Sequence, residues 1–339
     1  MRKRALLLSL LISSGAAGAV ATRTNATSPG RNGLIAFTRY RLQNKPLWSE
    51  IFVSRPDGSR LRRVSHSATA VEDDQAHWSP DGRSIVFDRC TANGPCAVWT
   101  VRPDGTGQRR LSPPCRPRRD CADESNPSFT PDGRHVLLQH EWGNVRKTPQ
   151  GNQIEHSAIA ERTLDGKHLT LLRRLDGYKG DLEAPRSSPD GGLLLFDGSN
   201  ADLARPAGGH AIFVAPIAGG PARRITPWRL RAPSADWSPT GKEILFKSSI
   251  DDFELTPGTN LYTVGADGSR LRQLTRVGAY DYVLAGSFSP DGRSIVFATN
   301  EGATGSFADI FTMKLNGDRL AQVTRSENLD GWPTWGSTP

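Results

Sequence analysis

The sequence predicts an all-β chain: a six-bladed β-propeller of four-stranded blades, closed by an N-terminal strand that joins the C-terminal blade. Three observations carry that expectation. A Ser/Thr-Pro-Asp-Gly turn recurs at 79–82, 130–133, 188–191 and 289–292, with Ser-Pro-Thr-Gly at 238–241. A second hairpin, opened by a short apolar strand, recurs six times. Successive copies lie about 50 residues apart, the spacing of a propeller blade.

One repeat shows why each element forms. His77-Trp78 makes a short inner strand, the Pro80-Asp81-Gly82 turn reverses it, and Ser84 to Phe87 returns. Proline presets one turn corner and glycine takes the positive-φ position. Val98 to Val101 then runs outward, Asp104-Gly105 turns, and Gln108 to Leu111 forms the edge. These strands are rich in β-branched and aromatic residues, and no helical periodicity competes.

The ends of the chain complement each other. Inner strands end on Trp78, Phe129, Ser187, Trp237, Phe288 and Trp335. Second strands are centred on Leu34–Phe37, Ile85–Phe87, Val136–Leu138, Leu193–Phe196, Ile244–Phe246 and Ile295–Phe297. The first of these has no inner strand before it, and Trp335 has no second strand after it. One blade is therefore expected to be shared between the termini, which closes the ring.

The expected boundaries follow. Residues 1–21 read as a signal peptide, with Arg2, Lys3 and Arg4 ahead of a short apolar stretch and Ala19-Val20-Ala21 at the cleavage position. That stretch is short for a membrane span, so no span is expected after cleavage. Residues 22–32 are small and polar and read as a flexible linker, 33–336 as the propeller, and 337–339 as a tail. The chain is expected to be secreted, or to lie in the periplasm or cell envelope, as a monomer.

Net charge is +8, and the three positives at residues 2–4 leave +5 on the rest. Arginine pairs recur at 62–63, 109–110, 173–174 and 223–224, in the last strand of each unit. Charged side chains there guard an exposed sheet edge. Basic residues spread around a rim do not form one groove, so nucleic acid is not an expected partner. All four cysteines are clustered, and an even count in an exported chain suggests the disulfides Cys90–Cys96 and Cys115–Cys121, with crossed pairings open.

The inner pattern of an aromatic, Ser-Pro-Asp-Gly, Arg/Lys-x-Ile-x-Phe is clearest at 237–246 and 288–297, and the outer hairpin at 261–275. Together they resemble the TolB-type, WD-repeat-like (PDG-repeat) propeller family, over residues 33–336. The resemblance implies fold far more than activity. Similar propellers serve the periplasmic Tol–Pal system, gate prolyl-oligopeptidase-type peptidases and form some pectin-degrading lyases. Three departures stand out. The α/β domain that precedes the propeller in TolB has no counterpart, which weighs against a Tol–Pal role. The third complete repeat has Ser187 in place of the aromatic, and the fourth has Thr240 in place of aspartate.

Binding residues favour long loops on a rigid scaffold, so the face opposite the Pro-Asp-Gly turns is the candidate surface. Acids precede several inner strands there: Asp73 and Asp74, Asp123 and Glu124, Asp181 and Glu183, Asp281, and Asp330. They are expected to crowd the channel mouth, or to accept hydrogen bonds within their own loops. A ring of carboxylates can hold Ca2+, although no EF-type spacing is present, and no other cofactor is expected. His77, Arg186 and Asp236 stand next to the axis, where polar groups need partners or water. Trp142, Tyr280, Tyr282 and Trp332 add aromatic surface suited to sugars or peptides. Trp142 lies in a long loop, 139–157, that could fold over the mouth.

No Gly-x-Ser-x-Gly elbow, His-Glu-x-x-His pair or phosphate loop occurs. The leading expectation is a non-enzymatic recognition or scaffold propeller that binds protein or glycan ligands at the long-loop face. The alternatives are a glycan-active lyase or hydrolase using channel-mouth carboxylates, and a Tol–Pal-like envelope component.

Overall fold

The computed structural model describes residues 27–41, 48–68, 70–91, 94–114, 123–148, 151–177, 180–200, 210–248, 258–305 and 307–339. The expected signal peptide, residues 22–26 of the linker and the Cys115–Cys121 pair lie outside them. Cys90 and Cys96 are bonded to each other.

The described strands form six four-stranded antiparallel blades; four are separate sheets, and the first two are joined into one eight-stranded sheet by a single parallel bridge between Ser49 and Glu72. The chain opens with β1 (Asn32–Tyr40), β2 (Ser49–Ser54) and β3 (Arg62–Arg63). Blade two is β4 (Val71–Trp78), β5 (Ile85–Thr91), β6 (Gly94–Val101) and β7 (Arg109–Arg110). Blade three is β8 (Asp123–Phe129), β9 (His135–Thr148), β10 (Gly151–Thr163) and β11 (Leu169–Asp176). Blade four is β12 (Gly180–Ser187), β13 (Leu193–Asn200), β14 (Ala211–Pro216) and β15 (Arg223–Arg224). Blade five is β16 (Asp236–Trp237), β17 (Glu243–Ser248), β18 (Asn260–Gly265) and β19 (Arg272–Gln273). Blade six is β20 (Val283–Phe288), β21 (Ser294–Thr299), β22 (Asp309–Lys314) and β23 (Ala321–Gln322). The last strand, β24 (Leu329–Ser337), returns to blade one and pairs with β1, placing Ile35 opposite Trp335 and Ala36 opposite Thr334. No described helix is long and apolar enough to cross a membrane.

Each pair of neighbouring blades shares its own apolar core, six in all among the described residues. Strand periodicity explains how one short run serves two of them. Ile85 and Phe87 join the core between blades one and two, while Val86 between them joins the core with blade three. A strand buried on both faces carries an unbroken apolar run. Complete burial of a side chain such as Phe87 contributes about 2–3 kcal/mol. At closure, a Cβ on Gly336 would stand 2.4 Å from the Trp78 ring, so only glycine lets these blades approach.

The turns form as their composition demands. Ser79 Oγ donates to Asp81 Oδ1 at 2.6 Å and accepts from Ser84 N at 2.8 Å, while Gly82 sits at φ +67°. Thr240 preserves the turn, its hydroxyl 3.2 Å from Ser238 Oγ and Gly241 N donating to Ser238 O at 2.9 Å. Ser187 is buried without disturbing its blade, because Leu182, Leu194 and Phe196 fill the core beside blade three. The arginine pairs do more than guard edges. Arg109 donates to Leu164 O at 2.8 Å and Arg223 to Ala266 O at 2.9 Å, each reaching the outer hairpin of the next blade. Arg62 and Arg173 make the same reach, to Pro103 O and Gly220 O.

Two expectations are corrected. The 139–157 segment is the end of a long β9–β10 hairpin, because its residues continue the cross-strand register instead of leaving it. The last residues of the 22–32 segment are held against the propeller. Thr27 and Ser28 are buried, and Gly30 N donates to Pro290 O at 3.1 Å.

Candidate ligand-binding channel

The residue before each inner aromatic position faces the axis, and all six are polar: His77, Ser128, Arg186, Asp236, Ser287 and Thr334. All but Ser128 line one narrow cavity of about 30 Å³, open to solvent, together with Gln75, Ala184, Ser234, Ala285 and Trp332. A recurrent bulge sets this lining. Gln75, Asn126, Ala184, Ser234 and Trp332 each lie three residues before the inner aromatic position and have positive φ, between 45° and 57°. Ladder register slips there in blades two, three, four and one. Non-glycine residues adopt this conformation at some cost, so surrounding contacts must hold it.

Carboxylates supply several of those contacts. A bulged N–H has lost its ladder partner and needs another acceptor. Gln75 N donates to Asp74 Oδ1 at 2.7 Å, Asn126 N to Asp88 Oδ2 at 2.9 Å, and Ser234 N to Asp197 Oδ2 at 3.3 Å. The last two bonds cross from one blade to the next, so the acids fasten the inner ring. Asp74 also accepts from Thr38 Oγ1 at 2.7 Å and from the Tyr40 hydroxyl. Burial raises Asp74, Asp88, Asp197 and Asp236 above the ordinary aspartate range.

Arg186 is the cation of the ring. Among the described residues its guanidinium makes one hydrogen bond, to Pro185 O at 2.9 Å, and no salt bridge. Burial lowers it, opposed by the charges of Asp236, Asp197 and Asp88. His77 is pushed down to about 3, first by burial and then by Arg186, so its imidazole is neutral at physiological pH. Asp236 Oδ2 accepts from Thr27 Oγ1 at 2.7 Å and from Phe288 N at 3.4 Å. The Thr27 segment enters from the turn face, since Gly30 is bonded at Pro290 in the turn of blade six.

Other candidate acids lie inside blades, each held by an arginine. Asp73 is fully buried and accepts two bonds from Arg89, at 2.5 and 2.8 Å. Asp330 is fully buried and accepts two from Arg39, at 2.6 and 2.7 Å. Glu124 accepts from Arg162 and Ser112 and lies 3.1 Å from His140 Nδ1, which together hold its carboxyl low against burial. Such buried charges need cations. These three acids are accounted for by architecture, as are two aromatics. Tyr282 and Trp332 are buried between blades six and one, with Trp332 edging the cavity.

The remaining candidates scatter. Trp142 stacks on His156 at 5.0 Å, with Arg174 over its ring at 5.0 Å, on the projecting hairpin. Tyr280 is 89% exposed, and Asp281 accepts from Asn300 Nδ2 at 3.1 Å. Asp123 and Asp181 both act on Glu141, a residue absent from the sequence reading, whose carboxyl is pushed up to about 7, chiefly by burial. Asp123 is itself raised by burial. Glu183 stands beside Asp197 and His210 in blade four. A signal for Asp88 and Asp197 was present: each follows the aromatic of a second strand, where the apolar run should continue.

No family model matches the chain. An uncharacterized protein of Agrobacterium fabrum is 26% identical over 208 residues, 61% of this chain and 60% of that relative. The chain thus matches less than two thirds of that relative's length. TolB from Acinetobacter baumannii superposes with a TM-score of 0.66 at 16% identity, covering 94% of this chain and 69% of that one. An oligogalacturonate lyase in complex with manganese gives 0.52 at 11% identity, over 89% of this chain and 78% of that one. At these identities the shared property is the fold, a TolB-type β-propeller.

Proposed function

We propose that the protein is an exported recognition propeller, working in the periplasm or outside the cell. Its long-loop face would bind a protein or glycan ligand by drawing one of the ligand's carboxylates to Arg186 in the axial ring. The observation that carries this reading is a buried guanidinium with a single carbonyl partner, beside a neutral imidazole and hydroxyls, in a cavity open to solvent. A planar guanidinium suits bidentate capture of a carboxylate. Thr27 approaches the ring from the turn face, which favours ligand entry from the long-loop face. Exposed Tyr280 offers an aromatic plate there.

The test uses arrays of neutral and uronate-containing glycans, and of acidic and amidated peptides, with the purified chain. Binding should favour carboxylate-bearing ligands and weaken at least about tenfold in Arg186→Gln, the loss of one charged hydrogen-bonding partner. No binding to either array, or undiminished affinity in Arg186→Gln, removes the proposal.

A second reading is an enzyme acting on acidic glycans, favoured by Glu141. A carboxyl titrating near neutrality beside Asp181 has the paired-carboxylate character of acid–base chemistry. Turnover of uronate oligosaccharides that is lost in Glu141→Gln would support it. Absent turnover, or turnover unchanged by that substitution, dismisses it.

A further inference from the structure

We infer that Glu183, Asp197 and His210 of blade four form a site for one divalent transition-metal ion, with an imidazole nitrogen and two carboxylate oxygens as ligands. This does not depend on the recognition role proposed above.

Strand register brings the three residues together. Glu183 on β12 lies directly opposite Asp197 on β13, and Asp197 lies opposite Ile212 on β14. His210 is two residues before Ile212, so period-two alternation returns it to the same face as Asp197. One candidate ligand atom from each residue lies within 4.8 Å of the other two. Ligand atoms about 2.1 Å from a tetrahedral ion stand about 3.4 Å apart, so closing on an ion takes about 1 Å of side-chain movement.

A second, independent observation points to a cation here. Asp197 is 2% exposed, and with Oδ2 taken by Ser234 N its Oδ1 has no hydrogen-bond partner among the described residues. Nδ1 of His210 is likewise buried and unpartnered. Buried polar atoms of native proteins are normally satisfied, and a pair of orphans in one cluster calls for a shared partner. Arg186 does not fill that place, because its one hydrogen bond goes to Pro185 O and it makes no salt bridge to Asp197 among the described residues.

The donor set selects the class of ion. Imidazole with carboxylates suits Zn2+ or Mn2+, whereas Ca2+ takes six or more oxygens and no imidazole. Calcium, the cation expected from the acidic ring, therefore does not suit this cluster. Three protein ligands leave a coordination position for water or an incoming group.

The experiment is calorimetric titration of the tag-free, chelator-treated full chain with ZnCl2, MnCl2 and CaCl2. One Zn2+ should bind per chain, with Mn2+ weaker and Ca2+ unable to compete. Asp197→Asn and His210→Gln should each weaken Zn2+ more than about tenfold. Zinc should raise the Tm of the native chain more than that of either variant at the same concentration. Metal-free melting shows whether the variants fold, and half-buried Glu183→Gln replaces any that does not, with the same expected loss. The site is overturned if the native chain binds no zinc, if the folded variants bind it undiminished, or if equimolar Ca2+ displaces it.

Discussion

Thr27 donates its hydroxyl to Asp236 Oδ2 at 2.7 Å, joining residues 209 positions apart at the centre of the ring. Both side chains are buried, so the segment ahead of the first strand is a structural component of the axial ring. Asp236 gains a donor there that its own blade does not provide.

The first prediction tests that bond. Thr27→Val keeps the shape and removes the donor, leaving a buried carboxylate oxygen with one fewer partner. Unfolding free energy, measured with urea, should fall by about 1–2 kcal/mol. Stability equal to that of the native chain would mean that the segment is not seated against Asp236.

The second concerns Arg39 and Asp330, which join β1 to β24 across the closure of the ring. Arg39→Gln strands a carboxylate that is fully buried and should cost about 3 kcal/mol. The double variant Arg39→Met, Asp330→Leu removes both charges and should recover most of that loss. Ligand capture at Arg186 should be unaffected by the double variant. If Arg39→Gln proved as stable as the native chain, the pair would have no part in closure.

The third follows from Glu141. Its folded carboxyl keeps a proton up to about pH 7, whereas an ordinary glutamate, as in the unfolded chain, releases it near 4.5. Stability from this group is therefore full below 4.5 and lost as pH rises to 7. Glu141→Gln cannot ionise, so it should match the native chain at pH 4 and exceed it by about 3 kcal/mol at pH 8. Denaturation midpoints across that range provide the measurement. Curves that run parallel would show that Glu141 ionises as an exposed glutamate does.

The architecture was legible because it is repetitive. Proline, aspartate and glycine mark each turn through backbone geometry, and the unmatched strand at either end announced the shared blade. The site was less legible, since its geometry depends on bulges at Gln75, Asn126, Ala184, Ser234 and Trp332 that no glycine marks. A bulge changes which face each side chain meets. Acids that looked alike before their inner strands thus diverge: Asp73 and Asp330 turn inward to arginines, while Asp74 serves a bulged amide. Trp142 was misplaced for a related reason. A strand that outgrows its blade reads as a loop until its partner is known.

Local sequence by itself determined the strands and turns, because each depends on neighbours a few residues apart, and counting the repeats showed how the distant ends complete one blade. Tertiary structure alone decided which charges are spent on holding blades and which remain for chemistry. Arg186, Asp197 and His210 gain their character from packing between distant strands, which converts ordinary polar side chains into buried groups short of partners.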